Sequence, residues 1–324
     1  MSEYKGIKGF QVQTRTEDPV PYAQALADNP YAGSWASGGS LNTARSSLGG
    51  AGIQTAALAF GGDAPGNTNA TEEYDGSSWT AGGNMGTARR LLAGCGTQTA
   101  GLAIGGFISA VTDAVEEYDG SSWTAGGALS TARRSLAAAG IQTAALAFGG
   151  IDTAVTGATE EYNGSSWTAG GTLGTARGSL AGSGTQTAGL AFGGYTTTQS
   201  GATEEYDGSS WTAGGTMNTA RSILAGCGTQ TAALAFGGTT GSVTGATEDY
   251  DGTSWTEVAD LATSRAYLGG AGTNTLALAF AGEVPPVTGA TEEWAFSGLP
   301  PSTPAAGYAD AITGDFYYNS TTGQ

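Results

Sequence analysis

From Trp35 onward the apolar and polar positions fall into short blocks bounded by glycine. One stretch reads WTAGGNMGTAR from Trp79 to Arg89, followed by LLAGC, the turn GTQ and the apolar run TAGLAI. The doublet Gly105-Gly106 comes next, then FISAVTDA and VEEYDGSSW, in which Glu117 and Tyr118 alternate before an Asp-Gly turn. Runs of this length, alternating or apolar and bounded by turn residues, predict strands, and no stretch carries a helical period. The same order recurs along the chain, with Trp35, Trp79, Trp123, Trp167, Trp211 and Trp255 each 44 residues after the last. A fixed period of this size marks a repeat architecture, and four strands per unit match the blade of a β-propeller.

The two ends of the repeat region are complementary. The Trp segment 35–45 has no Glu-Glu-Tyr strand before it, and the last Glu-Glu strand, ending at Trp294, has no Trp segment after it. Residues 35–45 are therefore expected to supply the outermost strand of the final blade, removing the open edges that an unclosed fan of sheets exposes. Ala51, Cys95, Ala139, Ser183, Cys227 and Ala271 are small enough for innermost strands crowded at an axis. Cys95 and Cys227 are three repeats apart, on opposite sides of a six-membered ring. That places them beyond the roughly 7 Å between Cα atoms that a disulfide spans, so free thiols are expected.

The order Arg, paired apolar strands, Gly-Gly, Tyr-Asp, Trp resembles the kelch motif over about residues 35–296. Gly-Gly begins at Gly61, Gly105, Gly149, Gly193 and Gly237, with Ala281-Gly282 in the last unit. Tyrosine recurs at Tyr74, Tyr118, Tyr162, Tyr206 and Tyr250 and gives way to Trp294. The resemblance implies an all-β, six-bladed kelch-type propeller with four-stranded blades, closed by an N-terminal strand. It names no activity, since one fold serves many functions.

Composition narrows the partners. Charged residues make up 12% of the chain and hydrophobic ones 39%, a balance too apolar for a disordered polymer. Eleven basic against 28 acidic residues leave a net charge of −17, which repels nucleic acid and anionic membranes. No apolar run reaches the roughly 20 residues that cross a bilayer, so membrane insertion is not expected. The N-terminus, MSEYKGIKGF, lacks the apolar core of a secretory signal.

Candidate chemistry begins with a ring of arginines, Arg45, Arg89, Arg133, Arg177, Arg221 and Arg265, at the entry to each inner strand. Such a ring could hold an anion or a sugar carboxylate. Each arginine could equally pair with Glu72, Glu116, Glu160, Glu204, Glu248 or Glu292, or with the acid that follows each. Sixfold repetition favours the structural role, because an active site is normally asymmetric. The Asp-Gly-Ser-Ser-Trp turns resemble the Asp-box of sialidases only loosely, since Asp75 and Gly76 are adjacent, and are read as hairpin turns. Without a histidine the chain lacks the usual Ser-His or Cys-His pairs, and two distant cysteines make no zinc site. No enzyme activity, metal or cofactor is expected.

Variation concentrates after the Gly-Gly doublet, in DAPGNTNA, FISAVTDA, IDTAVTGA, YTTTQSGA, TTGSVTGA and EVPPVTGA. These are the loops between the second and third strands of each blade and emerge on one face, whereas the turns on the opposite face barely change. Phe107, Ile108, Ile151, Asp152, Tyr195, Thr239 and Val284 are the candidate recognition residues, with Phe107, Ile108, Ile151, Tyr195 and Val284 expected to be exposed.

The chain divides into an extended arm (1–34), the propeller (35–296) and a Pro-rich linker with a C-terminal strand or hairpin segment (297–324). Both ends, MSEYKGIKGFQVQTRTEDP and YADAITGDFYYNSTTGQ, resemble segments of virion structural proteins of tailed marine cyanobacterial viruses. That resemblance implies a structural or adhesion protein of the virion, associated with an appendage or tail fibre and made in the host cytoplasm. Its partners would be other virion proteins or sister subunits through the terminal arms, and a host-surface receptor or glycan through the loops. Two rival expectations remain: a glycan-modifying enzyme of sialidase or epimerase type, and a kelch protein-interaction module.

Overall fold

A computed structural model of the chain describes residues 33–296, which form 24 strands in six four-stranded antiparallel sheets and contain no helix. The first blade shows the plan. Strand β2 (Gly49–Ile53) lies innermost and β3 (Ala56–Phe60) pairs with it, followed outward by β4 (Thr71–Tyr74) and β5 (Trp79–Ala81). The final blade is completed by β1 (Ser34–Gly38), paired antiparallel with Thr291–Ala295, so Trp35 lies opposite Trp294 and Gly38 opposite Thr291. Closure by the N-terminal segment is thus as expected. The strand begins one residue earlier, with Ser34, and ends at Gly38; residues 39–45 are the link into the first blade. Arm residues 1–32 and the C-terminal segment 297–324 lie outside the described residues.

Each blade tapers toward the axis. Inner strands carry Gly, Ala, Ser or Cys; the second strands carry Leu and Phe; Tyr and Trp fill the wider periphery. Ala51, Cys95, Ala139, Ser183, Cys227 and Ala271 are all buried on the inner strands, and both cysteines are free. Tryptophan of one blade packs against phenylalanine of the blade before it, with Phe60–Trp123, Phe148–Trp211 and Phe192–Trp255 centroids 4.9, 4.9 and 5.0 Å apart. Such tilted aromatic pairs add to the area they bury.

The second and third blades break this pattern in a compensating way. A Cβ added to Gly94 would lie 2.6 Å from the Phe60 ring, and one added to Gly50 would lie 2.7 Å from the Phe280 ring. The equivalent residue of the third blade is Ala138, and the ring it would meet is replaced by Ile104, against whose cluster Ala138 packs. The methyl is admitted where the ring has gone.

Backbone hydrogen bonds also close the ring at its centre. Ser47, Leu91, Ser135, Ser179, Ile223 and Tyr267 stand two residues before the inner strands and all have positive φ, between 53° and 58°. Each N–H donates to the carbonyl of its counterpart in the preceding blade: Leu91 to Ser47, Ser135 to Leu91, Ser179 to Ser135 and Ile223 to Ser179, each at 2.8 Å, then Tyr267 to Ile223 at 3.1 Å. Ser47 completes the circle by donating to Tyr267 at 2.9 Å. Six side-chain-bearing residues thus hold a conformation that ordinarily favours glycine, each tied by a hydrogen bond between blades.

The Ile104–Ala138 exchange is testable by a double-mutant cycle. Ile104→Phe alone is expected to lower unfolding free energy by about 1–3 kcal/mol through overpacking, and Ala138→Gly to recover much of that loss. Urea denaturation midpoints of the two single variants and the double variant measure the coupling.

Candidate functional site

The six repeated arginines are completely buried. Each meets the first acid of the Glu-Glu pair in its own repeat: Arg45–Glu72 at 2.7 Å, Arg133–Glu160 at 3.0 Å, Arg177–Glu204 at 3.1 Å, Arg221–Glu248 at 2.9 Å and Arg265–Glu292 at 3.0 Å, with Arg89–Glu116 the sixth. The other carboxylate oxygen accepts a backbone N–H from the chain entering that blade, as from Asn42 to Glu72 at 2.7 Å and from Gly174 to Glu204 at 2.6 Å. Arg133 also donates to the carbonyls of Ala147 and Ala158. Burial pushes all six guanidinium pKa values down, opposed by the paired glutamates. Nothing of these side chains reaches solvent, so the ring ties each linking segment to its blade.

The second acid does different work, because neighbouring strand residues point to opposite faces. Glu73, Glu117, Glu161 and Glu205 accept the phenol of the following blade from Tyr118, Tyr162, Tyr206 and Tyr250 at 2.5–2.6 Å, and Glu293 accepts Tyr74 at 2.5 Å. Gln54, Gln98, Gln142, Gln186 and Gln230 add a second staple, each donating to two carbonyls of the preceding blade. The junction of the fifth and sixth blades has neither staple. There Trp294 replaces tyrosine, Asp249 replaces glutamate and Asn274 replaces glutamine, and Asn274 donates to Asp249 at 3.1 Å.

The candidate recognition residues lie on the face that carries the chain's entry into the inner strands. Phe107, Ile151, Tyr195 and Thr239 occupy one repeat position, with Asp63 and Glu283 in the other two blades. Each is bridged on one side to the linking segment and on the other to its own loop, as in Arg90↔Phe107↔Val111. Phe107 and Ile151, pinned in this way, and Val284 beside the pinned Glu283 are half-buried, contrary to the expected exposure; Asp152 and Thr239 are half-buried too. Ile108 and Tyr195 are exposed, each at 40%. The six positions do not converge on one pocket. They form a circle around the axial mouth.

Sequence reasoning missed the inner rim of that mouth. Its residues are Ser47, Leu91, Ser135, Ser179, Ile223 and Tyr267, which line a cup of about 120 Å³ above six buried leucines, Leu48 to Leu268. Ser46, Arg90, Arg134, Gly178, Ser222 and Ala266 stand one residue earlier. The signal was present: both positions vary between repeats, although the flanking arginine and leucine never do. Arg90 and Arg134 place their guanidinium carbons 5.5 and 5.6 Å from the centre of the Phe107 ring. Arg90 also pairs with Asp63. No group of three or more potential metal-ligating residues occurs among the described residues.

Three measurements follow. Arg177→Met is expected to lower stability by about 3–5 kcal/mol by stranding Glu204, whereas a joint Arg177→Met, Glu204→Leu exchange should cost far less. Thermal denaturation of both distinguishes a structural pair from an exposed one. The staple tyrosines Tyr74, Tyr118, Tyr162, Tyr206 and Tyr250 have pKa values pushed up to about 12, chiefly by burial and then by the accepting glutamates. Their native state favours the neutral phenol. The stability they contribute is full below about pH 10 and is lost as pH rises toward 12, which urea midpoints across that window report. Burial also pushes the Cys95 thiol up to about 12 and raises Cys227 further, so a thiol reagent should label neither in the native protein and both after denaturation.

The chain matches no protein-family model and no curated protein; what the geometry establishes is an all-β propeller of six four-stranded blades.

Proposed function

We propose that the protein is a non-enzymatic display module of a virion, a structural or adhesion component associated with an appendage or tail fibre, with blades of kelch type. The observation that carries the recognition role is the segregation of variation. At the pinned loop position the six repeats carry Asp63, Phe107, Ile151, Tyr195, Thr239 and Glu283, no two alike, on one face. The turns of the opposite face stay nearly uniform, and Asp75, Asp119, Asp207 and Asp251 each accept the same two backbone N–H groups there. A rigid, uniform scaffold under six different loop residues suits recognition of a surface by several weak contacts, which multiple copies strengthen.

The enzymatic alternative draws its strongest candidates from the arginine ring, and those six side chains are sealed behind glutamates. The virion assignment draws on the likeness of both chain ends to virion structural proteins, and those ends would join the propeller to its particle or to sister subunits.

Cryo-electron microscopy of native material containing the protein tests this reading. The expected image is a propeller on a tail or capsid with its loop face outward. A free propeller with that face unoccupied, in material rich in assembled particles, overturns it. Removing residues 1–32, which leaves β1 intact, is expected to abolish particle association while the melting transition is unchanged; undiminished association would reject the arm as anchor.

A further inference from the structure

The recognition face carries a charge pattern that variation alone does not explain. Eight arginines lie among the described residues. Six are buried against glutamates, and Arg90 is paired with Asp63. Arg134 alone has no carboxylate within 4 Å and its guanidinium makes no hydrogen bond among these residues. It stands one residue before Ser135 of the axial rim, half-buried and held beside the face of Phe107. Burial and Glu283 push the phenol of Tyr267 up, and Arg134 opposes them. Ser135 and Tyr267 stand three positions apart in the hydrogen-bonded ring of six rim residues, so Arg134, next to Ser135, adjoins the mouth on the side opposite Tyr267.

We infer that the axial mouth is a binding site for a small hydroxylated carboxylate, of the class of an acidic monosaccharide, with Arg134 holding the carboxylate and Tyr267, Ser135 and Ser179 meeting the hydroxyls. The inference rests on the recognition reading and gives that face a ligand class. A guanidinium is a rigid two-pronged donor matched to a carboxylate, and here its prongs are unspent. Phe107 backs it with an aromatic face. The rim is asymmetric in the way a sugar requires. Ser47, Ser135 and Ser179 supply hydroxyls that donate or accept, and Glu283 supplies an acceptor for a sugar hydroxyl near Tyr267. Leu91 and Ile223 give apolar edges for the C–H face of a ring. The six leucines form an apolar collar beneath the rim, so the polar groups available to a ligand are those of the mouth. The chain's net charge of −17 disfavours a polyanion at this face, whereas the unpaired Arg134 can meet a single anionic group.

The test uses the full chain and D-glucuronate as probe, followed by amide chemical shifts of Ser135, Ser179 and Tyr267, with D-glucose and acetate as comparison ligands. Millimolar binding of glucuronate is expected, with glucose and acetate each at least about tenfold weaker, the scale of one charge-assisted contact. Arg134→Ala should lose at least about tenfold in affinity with an unchanged melting temperature, and Arg134→Lys should restore only part of it. Tyr267→Phe should weaken glucuronate without affecting acetate. No shift at these amides at tens of millimolar glucuronate, equal binding of acetate, or an unaltered affinity in Arg134→Ala would each overturn the inference. The particle experiment above is independent of all three, so failure here leaves the display role standing.

Discussion

Everything in this molecule follows from six strands having to meet around one axis. Where adjacent inner strands approach one another there is little room for side chains, so they are built mainly from Gly, Ala, Ser and Cys, and one methyl in the wrong place meets a neighbouring ring. Farther out the blades diverge, and the space between them must be filled by the largest side chains available. The gradient from glycine to tryptophan along each blade is the shape of that wedge expressed in residue volumes. Close packing makes the gradient strict, since voids and overlaps both cost stability.

The same geometry explains why charge is buried so freely. A glutamate pair on the third strand points one carboxylate into its own blade and the next toward its neighbour. The first finds an arginine and backbone N–H groups, and the second a tyrosine hydroxyl. Each guanidinium still leaves its Nε without a partner, so the pair specifies how the chain enters the blade more than it adds net stability. The work of the scaffold is done by side chains that never reach the surface. That frees the exposed rim to differ from blade to blade.

Much of this was legible in the residues. The 44-residue period, the four strands per unit and the complementary ends fixed the number of blades and the closing strand before any coordinates. The choice between Glu72 and Glu73 as partner of Arg45 was open only because strand alternation was not carried through to the register. Phe107 and Ile151 are half-buried although their loops vary, because that position is itself bridged both to the linking segment and to its own loop. Arg134 and Tyr267 are harder to read from the sequence, because the rim is built from the two residues between an arginine and a leucine that every repeat carries. Departures from the repeat also come in matched sets. Val115 stands where Thr71, Thr159 and Thr203 receive a tryptophan N–H, and Trp167 donates to the carbonyl of Gly127 instead. Asp249, Asn274 and Trp294 change together at one junction.

The pairing of β1 with the strand that ends at Ala295 has a consequence for how the molecule is made. Ser34 leaves the ribosome about 260 residues before its partner, and until that partner appears this strand has no ladder to join. The other blades can assemble from neighbouring segments as they appear, but the ring can close only after the strand Thr291–Ala295 has been made. A contact of such sequence separation carries a large loop-closure cost and slows the last step. Until then the open edge of the sixth blade is exposed, and a strand from another nascent chain fits it as well as the molecule's own. Synthesis on crowded polysomes would thus favour exchange of β1 between copies, and the closing strand is both the lock of the monomer and its most natural route to a swapped assembly.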